Sequence, residues 1–133
     1  MASDTWKEFE RNPISHSVAH HLTAIAELLE SSGYARVSDV ARRLNITRGS
    51  ASLTLKALKQ RGLVVEDENR FLRLSPDGER VAKAVRGKKF LVHSFLRNVL
   101  GVSSRAAEED TCKVEHLFSN ETADRLASFL GFV

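Results

Sequence analysis

The stretch Ser38–Gly62, SDVARRLNITRGSASLTLKALKQRG, reads as two short helices joined by a tight turn. Ser38 stands where an N-cap hydroxyl would accept an orphan backbone N–H, and Val40, Ala41 and Leu44 follow at helical spacing. Asn45 and Ile46 interrupt that run, and Thr47 is placed to cap a second helix. In this helix Ala51, Leu55 and Leu58 recur at i, i+4 and i+7, one apolar stripe that has to bury against the first helix. Gly62 supplies the left-handed C′ residue that ends it. Leu63–Leu74 continues as a hairpin: LVVE and RFLRL are runs of β-formers bracketing the polar Asp67, Glu68 and Asn69. Two helices followed by a two-stranded wing make a winged helix-turn-helix.

At about 100° per residue, Gly49, Leu53, Lys56 and Gln60 point away from the apolar stripe, with Ser50 and Ser52 at its margins. Such a small, polar and basic face suits a helix that sinks into a major groove, where hydroxyls and long basic chains reach bases and phosphates. A protein-docking helix would carry large anchors there instead. The candidate contacts to double-stranded DNA are Thr47, Arg48, Ser50, Ser52, Leu53 and Lys56, with Arg70 and Arg73 of the wing placed for phosphate. The competing reading is an ordinary solvated surface helix. The charge distribution argues against it: residues 37–62 hold six basic and one acidic side chain, whereas residues 1–36 are net −2 and residues 101–133 net −3. Positive charge concentrated on this motif favours a polyanion through counterion release.

The 133 residues are 42% hydrophobic, enough for one compact unit or two small lobes with a real core. No run approaches the roughly 20 apolar residues of a membrane span, and Met1–Pro13 carries acids without an apolar centre, so neither a membrane anchor nor a signal peptide is expected and a cytoplasmic location is. One cysteine rules out an internal disulfide and a multi-cysteine zinc motif. Met1–Pro13, with Trp6 and Phe9, reads as an arm able to dock on a partner subunit. A helix is expected from Ile14 to Ser32, with Val18, His21, Leu22, Ile25, Leu28 and Leu29 on one face and His16, His20, Thr23 and Glu27 on the other. Ser75-Pro76 starts a long helix running to about Leu100, whose surplus apolar face, including Phe90, Leu91 and Phe95, suits a second helical lobe and a dimer interface. Ser104–Phe118 and Glu121–Leu130 are two more helices, with Ser119 as a cap. The expected organisation is mainly α: an arm, a helix and a winged helix-turn-helix DNA-binding domain over residues 1–75, then an all-helical metal-binding and dimerisation domain over 76–133.

Within the last third, DTCKVEHLFS sets Cys112, Glu115 and His116 at i, i+3 and i+4, one face of one helix. Thiolate, carboxylate and imidazole together suit a divalent transition metal, with a fourth ligand required from another helix. The same spacing accommodates a half-buried structural cysteine beside a surface Glu and His. A Cys/His nucleophilic pair is a third reading, but no oxyanion-type loop or Gly-rich elbow accompanies it, which argues against an enzyme.

From Ala19 to Leu130 the chain resembles the diphtheria toxin repressor family of metal-dependent regulators, in the short branch of the manganese transport regulators that lack an SH3-like domain. GYARVSDVARRL, LTLKALKQRGLV, LSPDGERVAKAV, FLRNVLGV and EEDTCKVEHLFSNETADRL carry the resemblance in order and spacing. It implies that Cys112, Glu115 and His116 are primary metal ligands and that His20, where the family has Met or Asp, is the fourth. Two departures bear on a second ion: Thr23 stands where the manganese regulators have an acid, and Lys89 where the family has a metal-binding His. The resemblance therefore implies one primary site and at most a weaker second one of His93 with Glu108.

The function that follows is a homodimeric transcriptional regulator, a repressor by resemblance, of iron or manganese homeostasis genes, acting on a roughly palindromic operator. Its cofactor is a divalent transition metal, Fe(II) or Mn(II) foremost, with Zn(II), Co(II) and Ni(II) also suited to the donors. The alternative is a winged-helix regulator that has lost metal sensing and responds to another ligand or to oxidation of Cys112.

Overall fold

The computed structural model describes residues 14–115 and 117–131. The arm expected at Met1–Pro13, with Trp6 and Phe9, and the proposed ligand His116 lie outside the described residues. The elements in chain order are α1 (His16–Ser32), α2 (Val37–Leu44), α3 (Arg48–Gln60), β1 (Val64–Glu66), β2 (Leu72–Leu74), α4 (Pro76–Ser94), a π-helical turn (Phe95–Val99), α5 (Ser104–Val114) and α6 (Asn120–Leu130). They form two compact units, one of His16–Ala84 and another that includes Val85 onward. Among the described residues no helix is long and apolar enough to cross a membrane.

The first unit is a three-helix cluster with a wing. Leu22 and Ile25 of α1, Val40 and Ala41 of α2, and Ala51, Leu55 and Leu58 of α3 are buried together with Leu63, Val64, Leu72, Leu74 and Ala82. Thr47 caps α3, its hydroxyl accepting the Ser50 N–H at 3.1 Å. At the other end Gly62, at φ +74°, lets its own N–H reach Lys59 O and the Leu63 N–H reach Leu58 O, the paired bonds of a Schellman motif. β1 and β2 pair antiparallel with Val64 opposite Leu74 and Glu66 opposite Leu72. The turn between them is longer than Asp67–Asn69: the Asp67 carboxylate accepts the N–H groups of Asn69 and Phe71 (2.8 and 2.9 Å), and Arg70 sits at φ +66°.

Three helix ends differ from the sequence reading. α2 begins at Val37, so Ser38 lies inside it; the cap is reversed, with the Asp39 carboxylate accepting the Arg36 N–H at 3.0 Å. The long helix does not stay α-helical to Leu100. It is α to Ser94 and then widens, the Leu100 N–H reaching Phe95 O at 3.2 Å. α5 stops at Val114, not Phe118, with Glu115 as its C-cap; Glu115 is still in the right-handed helical conformation and its N–H donates to Thr111 O at 3.0 Å, so it keeps its place one turn beyond Cys112.

α4 begins as the sequence requires. The Ser75 hydroxyl accepts the Gly78 N–H (3.0 Å) and donates to Gly62 O (2.5 Å), and the Ser75 N–H donates to Leu63 O (3.0 Å). Gly78 is buried so closely against this knot that a Cβ on it would collide with the Leu63 carbonyl oxygen. Replacing a helical glycine by alanine ordinarily stabilises by up to about 1 kcal/mol. At Gly78→Ala the backbone collision reverses the sign, and a loss of about 2 kcal/mol is expected. Gly87→Ala, where a Cβ meets nothing within 4 Å, should be neutral or stabilising. Urea unfolding of the two variants beside wild type checks both signs.

Candidate DNA-binding surface and metal donors

α3 presents two unlike faces. Ala51, Leu55 and Leu58 are at most 1% exposed, while Thr47, Arg48, Ser50, Ser52, Leu53 and Lys56 are all exposed, Leu53 at 74%. Beside α3 the wing closes a groove lined by Arg36, Ser38, Arg48, Ser52, Asn69 and Arg70. A part-buried ion pair, Lys59 Nζ to Glu66 Oε1 at 2.7 Å, pins the wing to α3 and uses the Lys59 charge within the fold. Arg36 and Asn69 are groove residues that the sequence reading did not single out. The Arg36 guanidinium lies 4.3 Å from the centre of the Phe71 ring, and Phe71 meets Tyr34 edge-on at 6.0 Å, so a residue ahead of the helix-turn-helix is held against the wing. Only the folded hairpin reveals that neighbour.

The metal-donor candidates are spread over both units. On α1, His16 and His20 are one turn apart with ring centroids 4.3 Å from each other, which adds His16 to the imidazoles available there. His21 belongs to the core, 3% exposed, its Nδ1–H donating to Ser17 O at 2.7 Å. The Thr23 hydroxyl is turned back on its own helix, donating toward Ala19 O and His20 O.

In the other unit Cys112 is half-buried near the end of α5 and Glu115 is 4% exposed. Burial pushes the Glu115 carboxyl up to about 7, opposed by the Lys89 ammonium and reinforced by Glu108. The Cys112 thiol is raised as well, first by burial and then by Glu115, with Lys89 opposing, Glu108 raising and Lys113 opposing. Glu115 Oε2 has no hydrogen-bond partner among the described residues. A buried carboxylate oxygen left open beside a thiol is the donor chemistry a divalent transition ion satisfies. His93 and Glu108 are brought together as expected of a second site, at 3.9 Å from Nε2 to Oε2, but Lys89 Nζ is already 3.7 Å from the other carboxylate oxygen.

The profile "Iron dependent repressor, N-terminal DNA binding domain" matches residues 14–72, and "Iron dependent repressor, metal binding and dimerisation domain" matches residues 75–133. The HTH-type transcriptional regulator MntR of Lysinibacillus sphaericus is 32% identical over 114 residues, 86% of this chain and 81% of that protein. The crystal structure of T. acidophilum IdeR aligns at 26% identity with a TM-score of 0.73, covering 85% of this chain and 53% of its own. A manganese-dependent transcriptional repressor solved in complex with manganese aligns at 28% identity and a TM-score of 0.75, over 87% of this chain and 54% of its own. The chain thus spans about half the length of those solved structures. With both domain profiles matched in order and a relative aligned over most of both sequences, the chain belongs to the iron-dependent repressor family of metal-responsive, DNA-binding transcriptional regulators.

Proposed function

We propose that α3 enters the major groove of an operator and that a divalent transition ion controls the affinity. The observation that carries the DNA part is the division of α3 into a fully buried apolar stripe and an exposed small, polar, basic face beside the wing. Arg48 and Lys56 supply charge toward phosphates, Ser50 and Ser52 hydrogen-bond to base edges, and Leu53 meets a thymine methyl. The Thr47 oxygen is engaged as the cap, which leaves its hydroxyl proton for a phosphate. Arg70, lifted at the wing tip, reaches the flanking backbone. Lys56→Ala and Arg48→Ala should each weaken binding to all sequences alike and flatten the salt dependence by about one unit. Unchanged operator affinity in both, measured by fluorescence anisotropy across a salt series, would remove α3 from the interface.

One α3 reads few base pairs, so the reading includes a two-fold dimer on a roughly palindromic operator, with half-sites about one helical turn apart or a multiple of it. Supporting this, Phe90, Leu100 and Phe129 in the second unit are 56%, 58% and 67% exposed, a large apolar surface for a monomer to leave in water. Phe90→Glu and Phe129→Glu should shift the full chain from dimer toward monomer in sedimentation velocity.

For the metal, His20, Cys112, Glu115 and His116 are the proposed ligands, with His16 as an additional imidazole. The ion supplies positive charge that the buried Glu115 carboxylate and the Cys112 thiolate require, and it exchanges for the protons these groups otherwise hold tightly. Iron(II) and manganese(II) are the ions proposed for the cell, while a thiolate with imidazoles favours zinc(II), cobalt(II) or nickel(II) over manganese(II) in intrinsic affinity. Cobalt(II) titration followed by absorbance is expected to give a sulfur-to-cobalt charge-transfer band in wild type. The band should be lost in Cys112→Ser and binding weakened in His20→Ala; unchanged spectra in both variants would eliminate this ligand set.

A further inference from the structure

Lys89 and His93 stand one turn apart on α4 and meet the same carboxylate of α5. Lys89 Nζ lies 3.7 Å from Glu108 Oε1, and His93 Nε2 lies 3.9 Å from Glu108 Oε2. Cys112 follows Glu108 by one turn of α5. The Lys89 charge is also felt by Cys112 and Glu115, in each case opposing the rise that burial causes. One ammonium therefore serves a neighbourhood of two carboxyls, an imidazole and a thiol. These are donors for a divalent ion, but an ammonium has N–H donors and no lone pair, so it adds charge to the group without joining a coordination shell.

We propose that Lys89 is a tethered cation that holds Glu108 and keeps a divalent ion from binding at His93 and Glu108, so that the lobe takes up one ion fewer than its donors would allow. This rests on the reading above that Cys112 and Glu115 serve a metal ion elsewhere in the same lobe. Two features bear on this role. First, the Glu108 carboxylate is shared, one oxygen to the ammonium and one to the imidazole, so an ion arriving at His93 and Glu108 lands within reach of a fixed positive charge. Second, the Lys89 and Glu108 side chains are 45% and 63% exposed, where a pair contributes little to stability, so the consequence to look for is the number of ions bound.

The experiment counts cobalt(II) and zinc(II) bound per protomer of the full chain, by equilibrium dialysis and calorimetry, with circular dichroism to verify folding. Lys89→His places an imidazole one turn before His93, the spacing with which two histidines hold one ion. It should bind one ion more than wild type, and the extra ion should disappear when Glu108→Gln or His93→Ala is added. Lys89→Arg, which keeps the charge, should bind the wild-type number. Should Lys89→His fail to fold, Lys89→Gln decides, with an expected tenfold or greater tightening of an ion that depends on His93 and Glu108. Equal counts in wild type and folded Lys89→His, or a wild-type ion already lost on Glu108→Gln, overturn the proposal. Failure of the primary ligand set is seen separately, as a wild-type count that Cys112→Ser leaves unchanged.

Discussion

The backbone carbonyl of Leu63 is the point through which the DNA-binding unit is held in register. It follows directly on the Schellman end of α3, it accepts the Ser75 N–H where β2 gives way to α4, and only a glycine at position 78 lets α4 pass so close to it. Ser75 closes the same knot with its hydroxyl, bonded to Gly62 O on one side and Gly78 N on the other. The end of α3, both strands of the wing and the start of α4 thus meet within one cluster of hydrogen bonds. Buried Leu63, Val64, Leu72 and Leu74 keep water from competing for those bonds. A further bond from the Leu72 N–H to Ala35 O, at 2.7 Å, ties the wing to the chain entering α2. The spacing of Arg48 on α3 from Arg70 on the wing is therefore set largely by backbone, with the Lys59–Glu66 ion pair as an added side-chain tie.

Against that frame of fixed backbone the basic residues divide by task. Lys59 is paired with Glu66, Arg42 with Asp39 at 3.3 Å and Arg43 with Glu27 at 3.6 Å, so these charges are partly answered by the protein itself. Arg36 spreads its guanidinium over Phe71. Arg48, Lys56, Arg70 and Arg73 are exposed on α3 and the wing. Each such cation near a phosphate releases counterions, a gain that a cation already neutralised by a carboxylate gives only in part. The N-terminus of α3 adds a helix-dipole contribution of the same sign, although its Ser50 N–H is taken up by the Thr47 cap.

What the sequence made legible was local. The Ala51/Leu55/Leu58 stripe, the caps at Thr47, Ser75 and Ser119, and the stop at Gly62 are all written within one or two helical turns, and the fold follows them. The misreadings share the opposite property. Ser38 reads as the cap, but α2 starts before it, from an extended Arg36 (φ −123°, ψ 165°) whose N–H the Asp39 carboxylate accepts. Leu117 and Phe118 continue the apolar period of α5, but the chain turns before them. Lys88, thirty residues earlier, donates to Phe118 O at 2.8 Å, and its ammonium sits 5.4 Å from the centre of the Phe118 ring. The widened turn at Phe95–Val99 carries no periodicity of its own. Of the candidate site, the donor types in C-x-x-E-H and the one-turn spacing of His16 and His20 were visible in the sequence, whereas the pairing of Lys89 with Glu108 needed the folded chain.

Lys88 and Lys89 are neighbours in sequence with different work. Burial lowers the pKa of Lys88, which nonetheless serves as the donor that holds the connection between α5 and α6. Lys89 faces the acids. Lys89 opposes, and Glu108 reinforces, the burial that leaves Glu115 a carboxyl poised near neutrality. Were the proposed ion to bind there, it would remove an electrostatic cost of the buried carboxylate, and its occupancy would be sensitive to any rearrangement that alters the surroundings of Glu115. Linkage then makes the effect mutual: whatever factor metal adds to operator affinity, operator adds to metal affinity, each tenfold amounting to about 1.4 kcal/mol. A regulator of this kind holds its ion more tightly when seated on DNA than when free. The ion concentration at which it leaves the operator therefore lies below the concentration at which the free protein fills.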